Sequence, residues 1–188
     1  ENNIIGPNTN VTGQDGSKGR MNLYISINDY QETSYGLLNS TIAGNKICGS
    51  EGNGDAVFIW GGYYAYGALN PSPMTGTVIE DNEICDGHRA GIEVAGGISD
   101  LTIRDNHIHD FSSLPGDADP TLLKYGCGVL LIRGSSDSED ENGLGNVNVT
   151  LENNTITDCE KHGVYVGPVN DGLTLTGNTI TGNGGDAF

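Results

Sequence analysis

The sequence predicts an all-β solenoid in which short parallel strands stack on one another, and three observations point to this fold class. The chain of 188 residues contains 30 glycines and is only 35% hydrophobic, a composition that disfavours helices and favours strands joined by tight turns. A short motif recurs along the chain, and a second strand follows most copies of it. Such internal repetition is typical of solenoid proteins.

The recurring motif is a seven-residue segment in which an asparagine precedes an isoleucine by two positions. A partial copy, Glu1–Ile4, opens the chain. The closest successive asparagines, such as Asn82 and Asn106, are 24 residues apart, and we take this spacing as one rung. The full copies are Thr41–Ile47, Val78–Ile84, Thr102–Ile108, Thr150–Ile156 and Thr174–Ile180.

A second strand follows four of the copies, and its alternation predicts which side chains face the core. In the strand Gly91–Val94, Ile92 and Val94 are expected to point inward and Glu93 outward. Stacked strands of this kind lie about 4.8 Å apart and bury a narrow core of isoleucine, valine and leucine. The four segments are Ala56–Trp60, Gly91–Val94, Gly128–Ile132 and Gly163–Val166.

The repeated asparagine fits an inward turn position, where each side-chain amide can bond to the next asparagine in the stack. The predicted ladder contains Asn2, Asn45, Asn82, Asn106, Asn154 and Asn178. With its Asn-x-Ile and Gly-Ile segments, the chain resembles the right-handed parallel β-helices of the pectate-lyase-like superfamily. The resemblance implies one domain over residues 1–188, with about five to six coils and loop insertions. Because that superfamily includes lyases, hydrolases, epimerases, adhesins and structural surface proteins, the resemblance predicts the fold and leaves the activity open.

Four cysteines lie on neighbouring rungs and are predicted to form two disulfides. Cys48 and Cys85 each follow the repeat isoleucine, and Cα atoms stacked about 4.8 Å apart fall within disulfide range. Cys127 and Cys159 also lie on adjacent rungs. His109 continues the first column, so a zinc site is an alternative, although no fourth ligand converges in the sequence. Oxidised cysteines would indicate an extracellular or periplasmic location.

Three aspartates occupy the next column: Asp86, Asp110 and Asp158. Carboxylates about 5 Å apart repel one another unless a cation or a proton intervenes, so a calcium site is one interpretation. In the other, which we favour, each aspartate caps its own turn through a bond from side chain to backbone. As a cofactor, the sequence thus suggests calcium ahead of zinc and requires neither.

An aromatic group lies at and after the second strand of one rung: Trp60, Tyr63, Tyr64 and Tyr66. Aromatic faces with polar tips can form a stacking platform for sugar rings. They can also cover an apolar outer face of the solenoid or form an interface. We favour lateral packing or an interface over sugar binding.

The formal net charge of −17 limits the classes of molecule that the protein is expected to bind. A surface this acidic repels nucleic acid and anionic lipid, and it disfavours anionic polysaccharides. No stretch approaches the ~18 apolar residues needed for membrane insertion. Two groups are the most suggestive of catalysis: His88 and Arg89 with Glu93, and Lys161 and His162 with Tyr165. Neither has an acid and a base at a defined separation. We therefore predict no catalytic residue and favour a non-enzymatic role over a polysaccharide lyase or glycoside hydrolase.

Four Asn-x-Ser/Thr sequons could carry glycans: Asn10, Asn39, Asn148 and Asn153. A chain rich in asparagine and threonine also generates such tripeptides by chance. Occupied sequons would place the protein at a cell surface.

The leading hypothesis is an extracellular structural β-helix that associates with copies of itself in a sheath, surface layer, adhesin or fibre. The chain opens at Glu1 inside a repeat and closes at Phe188 inside a predicted strand, so we expect uncapped ends and assembly through them. The alternative is a carbohydrate-active β-helix: a lyase, hydrolase or epimerase fragment, or a sugar-binding module, with polysaccharide as partner.

Overall fold

The strands of the computed structural model follow one another around three parallel sheets. The structure describes residues 4–5, 22–26, 39–50, 54–60, 75–113, 125–132, 145–168 and 170–185. The strands are β1 (Ile4–Ile5), β2 (Leu23–Ser26), β3 (Thr41–Ala43), β4 (Lys46–Ser50), β5 (Val57–Trp60), β6 (Val78–Glu80), β7 (Glu83–His88), β8 (Ala90–Ala95), β9 (Thr102–Arg104), β10 (His107–Ser112), β11 (Cys127–Ile132), β12 (Thr150–Glu152), β13 (Thr155–Thr157), β14 (Val164–Val166), β15 (Thr174–Thr176) and β16 (Thr179–Thr181).

Every third strand belongs to the same sheet, so each turn of the chain adds one strand to each of the three sheets. Sheet A has the order β1-β4-β7-β10-β13-β16, sheet B β14-β11-β8-β5-β2 and sheet C β15-β12-β9-β6-β3. All strand pairs are parallel. The predicted all-β parallel β-helix is therefore confirmed. Among the described residues, no helix is long and apolar enough to cross a membrane.

The core is a stack of aliphatic side chains contributed in register by the three sheets. In sheet A, Ile84 pairs with Ile47 on one side and with Ile108 on the other, and all three side chains are fully buried. Ile92 and Val94 of sheet B are also buried, as the alternation predicts. Each buried aliphatic side chain contributes about 1.5–3 kcal/mol relative to exposure, so the repeating core stabilises every rung in the same way.

The register of β1 corrects one prediction. Ile5 pairs with Ile47, and Ile4 pairs with Lys46. The isoleucine column therefore continues into Ile5 rather than Ile4. Asn2 itself lies outside the described residues, as do Glu1 and Phe188, where open ends are expected.

The other predicted asparagines form a hydrogen-bonded ladder along one corner of the β-helix. The backbone N–H and the Nδ2 group of Asn82 both donate to Oδ1 of Asn106, at 3.0 Å each. Asn106 donates in the same way to Asn154, and Asn154 to Asn178. Asn45 begins this ladder by donating to Asn82. Because these amides are almost completely satisfied by their neighbours, they can be buried at little cost.

A second ladder was not anticipated from the sequence. Asn146 donates its backbone N–H and its Nδ2 group to Oδ1 of Asn170, at 3.2 and 2.8 Å. Asn146 is fully buried. Neither residue precedes an isoleucine by two positions, so the motif that identifies the first ladder does not identify the second.

Three columns of turn residues adopt the left-handed backbone conformation, with φ between 46° and 78°. Glycine enters this region freely, and aspartate and asparagine tolerate it better than other residues. The stacked turns therefore explain why these positions hold glycine, aspartate or asparagine in every described rung. The columns are Gly44, Asp81, Asp105, Asn153 and Gly177; Asn39, Gly76, Asp100, Asn148 and Gly172; and Gly49, Asp86, Asp110, Asp158 and Gly182.

Candidate functional site

A buried charged cluster lies where β7 turns into β8. Arg89 connects these strands with φ of 72°, an unusual conformation for a long side chain. Its backbone is held on both sides: the N–H donates to the Ser112 carbonyl, and its own carbonyl accepts from Gly126 and Cys127. The surrounding rungs thus fix the position from which the Arg89 side chain extends.

The Arg89 guanidinium meets two carboxyl groups. Nε and Nη2 donate to the two oxygens of Glu93 at 2.8 and 3.2 Å, a bidentate geometry that favours a charged pair. Nε also lies 3.5 Å from Oδ1 of Asp55. The ring of Tyr125 packs against the guanidinium, with 4.9 Å from Cζ to the ring centroid. We call Arg89, Glu93, Asp55 and Tyr125 the arginine cluster.

Burial sets the electrostatics of the arginine cluster. Desolvation raises the pKa of the Asp55 carboxyl well above its usual range, the charge of Glu93 raises it further, and Arg89 opposes both. Desolvation alone would lower the pKa of Arg89, but Glu93 and Asp55 outweigh it and raise that pKa. As a carboxylate, Asp55 has no hydrogen-bond partner for either oxygen, whereas a protonated Asp55 can donate to Glu93. The geometry therefore favours a charged Arg89–Glu93 pair beside a neutral Asp55.

The arginine cluster has the residue types of an acid–base site, but its side chains lack the exposure to solvent and substrate that catalysis needs. The side chains of Arg89, Glu93 and Asp55 are 11%, 2% and 0% exposed. His88, which the sequence groups with Arg89 and Glu93, instead pairs through Nδ1 with the Ser112 hydroxyl at 2.9 Å. A substrate cannot reach the buried carboxyl groups in this conformation.

Sequence reasoning missed Asp55 and Tyr125 as partners of Arg89. Asp55 directly precedes the predicted strand that begins at Ala56, and this position is the one local signal that it lies at a corner of the β-helix. Tyr125 forms with Gly126 the turn that leads into β11, after an insertion. Insertions break the repeat, so the sequence gives no spacing that would bring these residues together.

A second polar group lies on the outer face of sheet A. Three neighbouring strands each contribute two side chains, because residues two apart on a strand share one face. The register pairs Cys48 with Cys85 and Cys85 with His109. We call this group the cysteine–histidine patch; it comprises Lys46, Cys48, Glu83, Cys85, His107 and His109.

A disulfide joins Cys48 to Cys85 within this patch, with Cα atoms 4.5 Å apart, and this is the pair that the stacked column predicts. Beside it, Lys46 Nζ lies 2.6 Å from Oε1 of Glu83. The hydrogen bond from Lys46 lowers the pKa of the Glu83 carboxyl. The rings of His107 and His109 stack with centroids 4.2 Å apart.

The predicted bridge between Cys127 and Cys159 is wrong, since both residues are buried thiols. Cys127 lies in β11 of sheet B, whereas Cys159 follows β13 of sheet A, so the two are not register partners. Burial raises the pKa of each thiol to about 12. Both are therefore protonated and unreactive at neutral pH.

Calcium binding by Asp86, Asp110 and Asp158 stays a prediction. All three side chains are exposed and occupy the left-handed turn column. In the part of the chain that the structure describes, one group of three potential metal ligands has its donor atoms within 4.8 Å of one another, and it is Cys48, Glu83 and Cys85. The left-handed backbone conformation of these turns is by itself enough to account for aspartate at all three positions. The Asp110 carboxylate pairs with Nδ1 of His109 at 2.6 Å.

The remaining predicted sites are the aromatic group and the four sequons. The side chain of Trp60 and the residues Tyr63, Tyr64 and Tyr66 lie outside the described residues, as does the sequon at Asn10. The other three sequon asparagines, Asn39, Asn148 and Asn153, are exposed in left-handed turns. The stacking and glycosylation roles of these residues stay predictions.

An open depression of about 530 Å³ lies beside the ends of β10 and β13. Its polar lining includes Asp110, Ser112, Asp158 and Glu160. Glu160 accepts hydrogen bonds from the backbone N–H of Ser113 at 2.8 Å and from the Ser113 hydroxyl at 2.5 Å, and the hydroxyl bond lowers the pKa of its carboxyl. The depression thus presents carboxylate groups to solvent.

Comparison with known proteins gives a family. The family model described as a right handed beta helix region matches residues 24–188, which confirms the predicted handedness and the resemblance on which it rests. No curated protein and no solved structure matches the chain.

Proposed function

This chain belongs to the right-handed β-helix family, and we propose that it serves as an extracellular structural or surface module. In this role the β-helix is a rigid scaffold in a sheath, surface layer, adhesin or fibre. The observation that carries the proposal is the closure of the arginine cluster. The group that most resembles an acid–base site is sealed from solvent, with Asp55 completely buried.

A buried ion pair of this kind acts on structure rather than on a ligand. Arg89 links the turn before β8 to Glu93 within β8 and to Asp55 on the neighbouring rung. The two asparagine ladders and the Cys48–Cys85 bridge likewise join one rung to the next. These interactions oppose separation of the rungs, as a structural module under mechanical tension requires.

The location outside the cell is part of the proposal. Structural disulfides persist in oxidising compartments and are rare in the cytosol, and the Cys48–Cys85 bridge is consistent with that setting. The net charge of −17 also suits a surface that must stay hydrated and resist non-specific association.

Self-association is the proposed partner interaction. Successive rungs pair through parallel backbone hydrogen bonds and through asparagine amides, as between Asn154 and Asn178. The same donors and acceptors can join rungs of different copies, because every rung presents them in the same register. Sedimentation velocity at increasing protein concentration tests this; assembly is expected, and a monomer at all concentrations would contradict it.

An activity assay separates the structural proposal from the enzymatic alternative. The protein is incubated with a panel of neutral and uronate polysaccharides, and product is followed by reducing ends and by the absorbance of unsaturated uronates. We expect no product release. Product that disappears in an Arg89→Met variant that stays folded would replace the structural proposal with a catalytic one.

Carbohydrate binding is a second candidate, favoured by the open depression. Its carboxylates, Asp110, Asp158 and Glu160, can accept hydrogen bonds from sugar hydroxyls and would repel uronates. Calorimetric titration with neutral and amino-sugar oligosaccharides tests this function. Binding that is weakened in Asp158→Asn and unchanged in Asp86→Asn, a column neighbour outside the depression, would support it. Absence of heat with every sugar would exclude it.

A further inference from the structure

The cysteine–histidine patch brings together four side chains of the types that bind zinc. Cys48, Cys85 and His109 stand in register on three successive strands of sheet A. Glu83 precedes Cys85 by two residues and therefore shares its face. The Sγ atoms of both cysteines and a carboxylate oxygen of Glu83 lie within 4.8 Å of one another. Tetrahedral ligands at about 2.0–2.3 Å from zinc lie about 3.3–3.8 Å from one another. Once the Sγ–Sγ bond is cleaved, the two sulfur atoms therefore have to move apart to bind one ion, and the Glu83 carboxylate has to move only a short distance.

His109 is held in the orientation that a metal ligand requires. Its Nδ1 pairs with Oδ2 of Asp110 at 2.6 Å, while its Nε2 is buried with no hydrogen-bond partner. That Nε2 atom lies 3.8 Å from Oε1 of Glu83. A ring nitrogen paired with a carboxylate, with the second nitrogen left to bind the metal, is the arrangement that orients histidines at zinc sites.

We propose that the reduced protein binds one Zn²⁺ on the outer face of sheet A through Cys48, Cys85, Glu83 and His109, with Asp110 as the positioning residue for His109. Two thiolates, one imidazole and one carboxylate are a donor set that zinc accepts in tetrahedral geometry. In the oxidised protein the two sulfur atoms are bonded to each other and provide no thiolate. The patch is therefore closed to metal when oxidised and open when reduced.

A phosphine can serve as the reductant that opens the Cys48–Cys85 disulfide. The phosphine cleaves the Sγ–Sγ bond and is oxidised to a phosphine oxide, taking the oxygen of one water molecule. The two protons of that water leave Cys48 and Cys85 as thiols. Zn²⁺ then displaces one proton from each thiol as two Zn–S bonds form, and the buffer takes up both protons. This inference does not depend on the proposed structural function.

The first test compares the oxidised and the phosphine-reduced full chain. Each is titrated with Co²⁺, whose visible spectrum reports tetrahedral thiolate ligation, and then with Zn²⁺ to displace it. We expect one ion per reduced chain and none per oxidised chain. Because Cys127 and Cys159 are thiols in both states, the oxidised protein controls for them. Equal spectra in the two states, or no thiolate bands in either, would overturn the proposal.

Folding is followed by circular dichroism in the same titration. Should reduction unfold the chain, Zn²⁺ is expected to restore the β spectrum, since metal that binds only the native state stabilises it by mass action. A reduced chain that stays unfolded in the presence of Zn²⁺ would also overturn the proposal.

Variants then test the individual ligands in the reduced protein. Glu83→Gln and His109→Phe should each weaken zinc binding by at least the ten- to hundredfold that is typical of supporting residues. Asp110→Asn should weaken it about ten- to hundredfold through the orientation of His109. Asp158→Asn is the matched control, because it lies in the same turn column one rung away and follows Thr157 rather than a histidine. Equal effects of Asp110→Asn and Asp158→Asn would refute the positioning role.

Discussion

The arginine cluster and the cysteine–histidine patch both place a cation against a carboxylate on the outer side of a sheet, yet they differ in almost every physical property. Arg89 and Glu93 are nearly inaccessible, whereas the side chains of Lys46 and Glu83 are 50% and 40% exposed. In water, the attraction of an exposed pair is largely offset by solvation and side-chain entropy. When a buried pair loses one partner, the other charge remains uncompensated in a low-dielectric interior, and this strongly destabilises the folded state.

The difference comes from what covers each sheet. Glu93 and Glu83 both occupy outward positions on their strands, but the outer column of sheet B is covered at this rung. Leu130, the register neighbour of Glu93, is fully buried although it also points outward. The outer face of sheet A is open beside Glu83. Two similar ion pairs thus act differently, one as a structural support and one as an accessible surface.

Removing the cation of the buried pair, compared with removing the cation of an exposed pair, should give the largest contrast. Arg89→Met is expected to lower the free energy of unfolding by about 3–5 kcal/mol, because it leaves the Glu93 carboxylate buried without a counter-charge beside the neutral Asp55. Urea unfolding followed by circular dichroism measures this. The control is Arg104→Met, whose partner Glu80 lies on the exposed face of sheet C; its midpoint should match that of the unmodified chain. Equal midpoints for the two variants would contradict the comparison.

The disulfide should be the strongest stabilising element of the exposed region. Its partners are 37 residues apart, and closing a loop of that length in the unfolded chain is worth about 3–4 kcal/mol. The double variant Cys48→Ser/Cys85→Ser should lose that amount in urea unfolding. Cys127→Ala/Cys159→Ala also removes two cysteines but no cross-link, and should lose less. A larger loss in this second variant would show that packing rather than cross-linking dominates.

The two regions should respond to pH with opposite signs. The folded-state pKa of Asp55 is raised, so the native state binds more protons than the unfolded state between the two pKa values. Stability should therefore fall as pH rises from the unfolded value, about 3.9, through the folded one. Asp55→Asn should flatten this dependence. Urea midpoints measured from acid to neutral pH provide the test; an unchanged slope in the variant would argue against a neutral Asp55.

The buried thiols should be silent in a labelling experiment. With pKa values of about 12, Cys127 and Cys159 are protonated at neutral pH, and only the thiolate reacts. A thiol reagent should label neither cysteine in the native oxidised protein and both after denaturation without reductant. Labelling of the native protein would contradict the assigned burial.

Glu83→Gln should have the smallest effect on the oxidised protein. The folded-state pKa of Glu83 is lowered, so its contribution is present above the unfolded pKa and is lost as pH falls through the folded value. This sign is opposite to that of Asp55, but exposure to solvent makes the effect weak. The urea midpoint at neutral pH should stay within error; a shift as large as that of Arg89→Met would remove the distinction between the regions.

Much of the fold is predictable because it depends on local periodicity. The Asn-x-Ile motif gives the rung length, and the alternation of Ile92, Glu93 and Val94 gives the inward and outward faces. Residues that stand at the same position of successive repeats, such as Cys48 and Cys85, become neighbours when the strands pair. A partial motif is less reliable, since the copy Glu1–Ile4 places Ile4 in the isoleucine column where the register places Ile5.

The sequence by itself determined the parallel stacking of the strands, the asparagine ladder from Asn45 to Asn178 and the column that holds the disulfide, because each repeats with the rung. Only the tertiary structure decided that Asp55 and Tyr125 contact Arg89 and that Cys127 and Cys159 stay apart. It also decided that Glu83 lies beside the two cysteines, with His109 on the neighbouring strand. Those relations involve corners, insertions and burial. The repeat determines which residues are stacked on one another. Whether a charged side chain in a stack is buried or free to bind depends on whether another segment of the chain covers that face of the sheet.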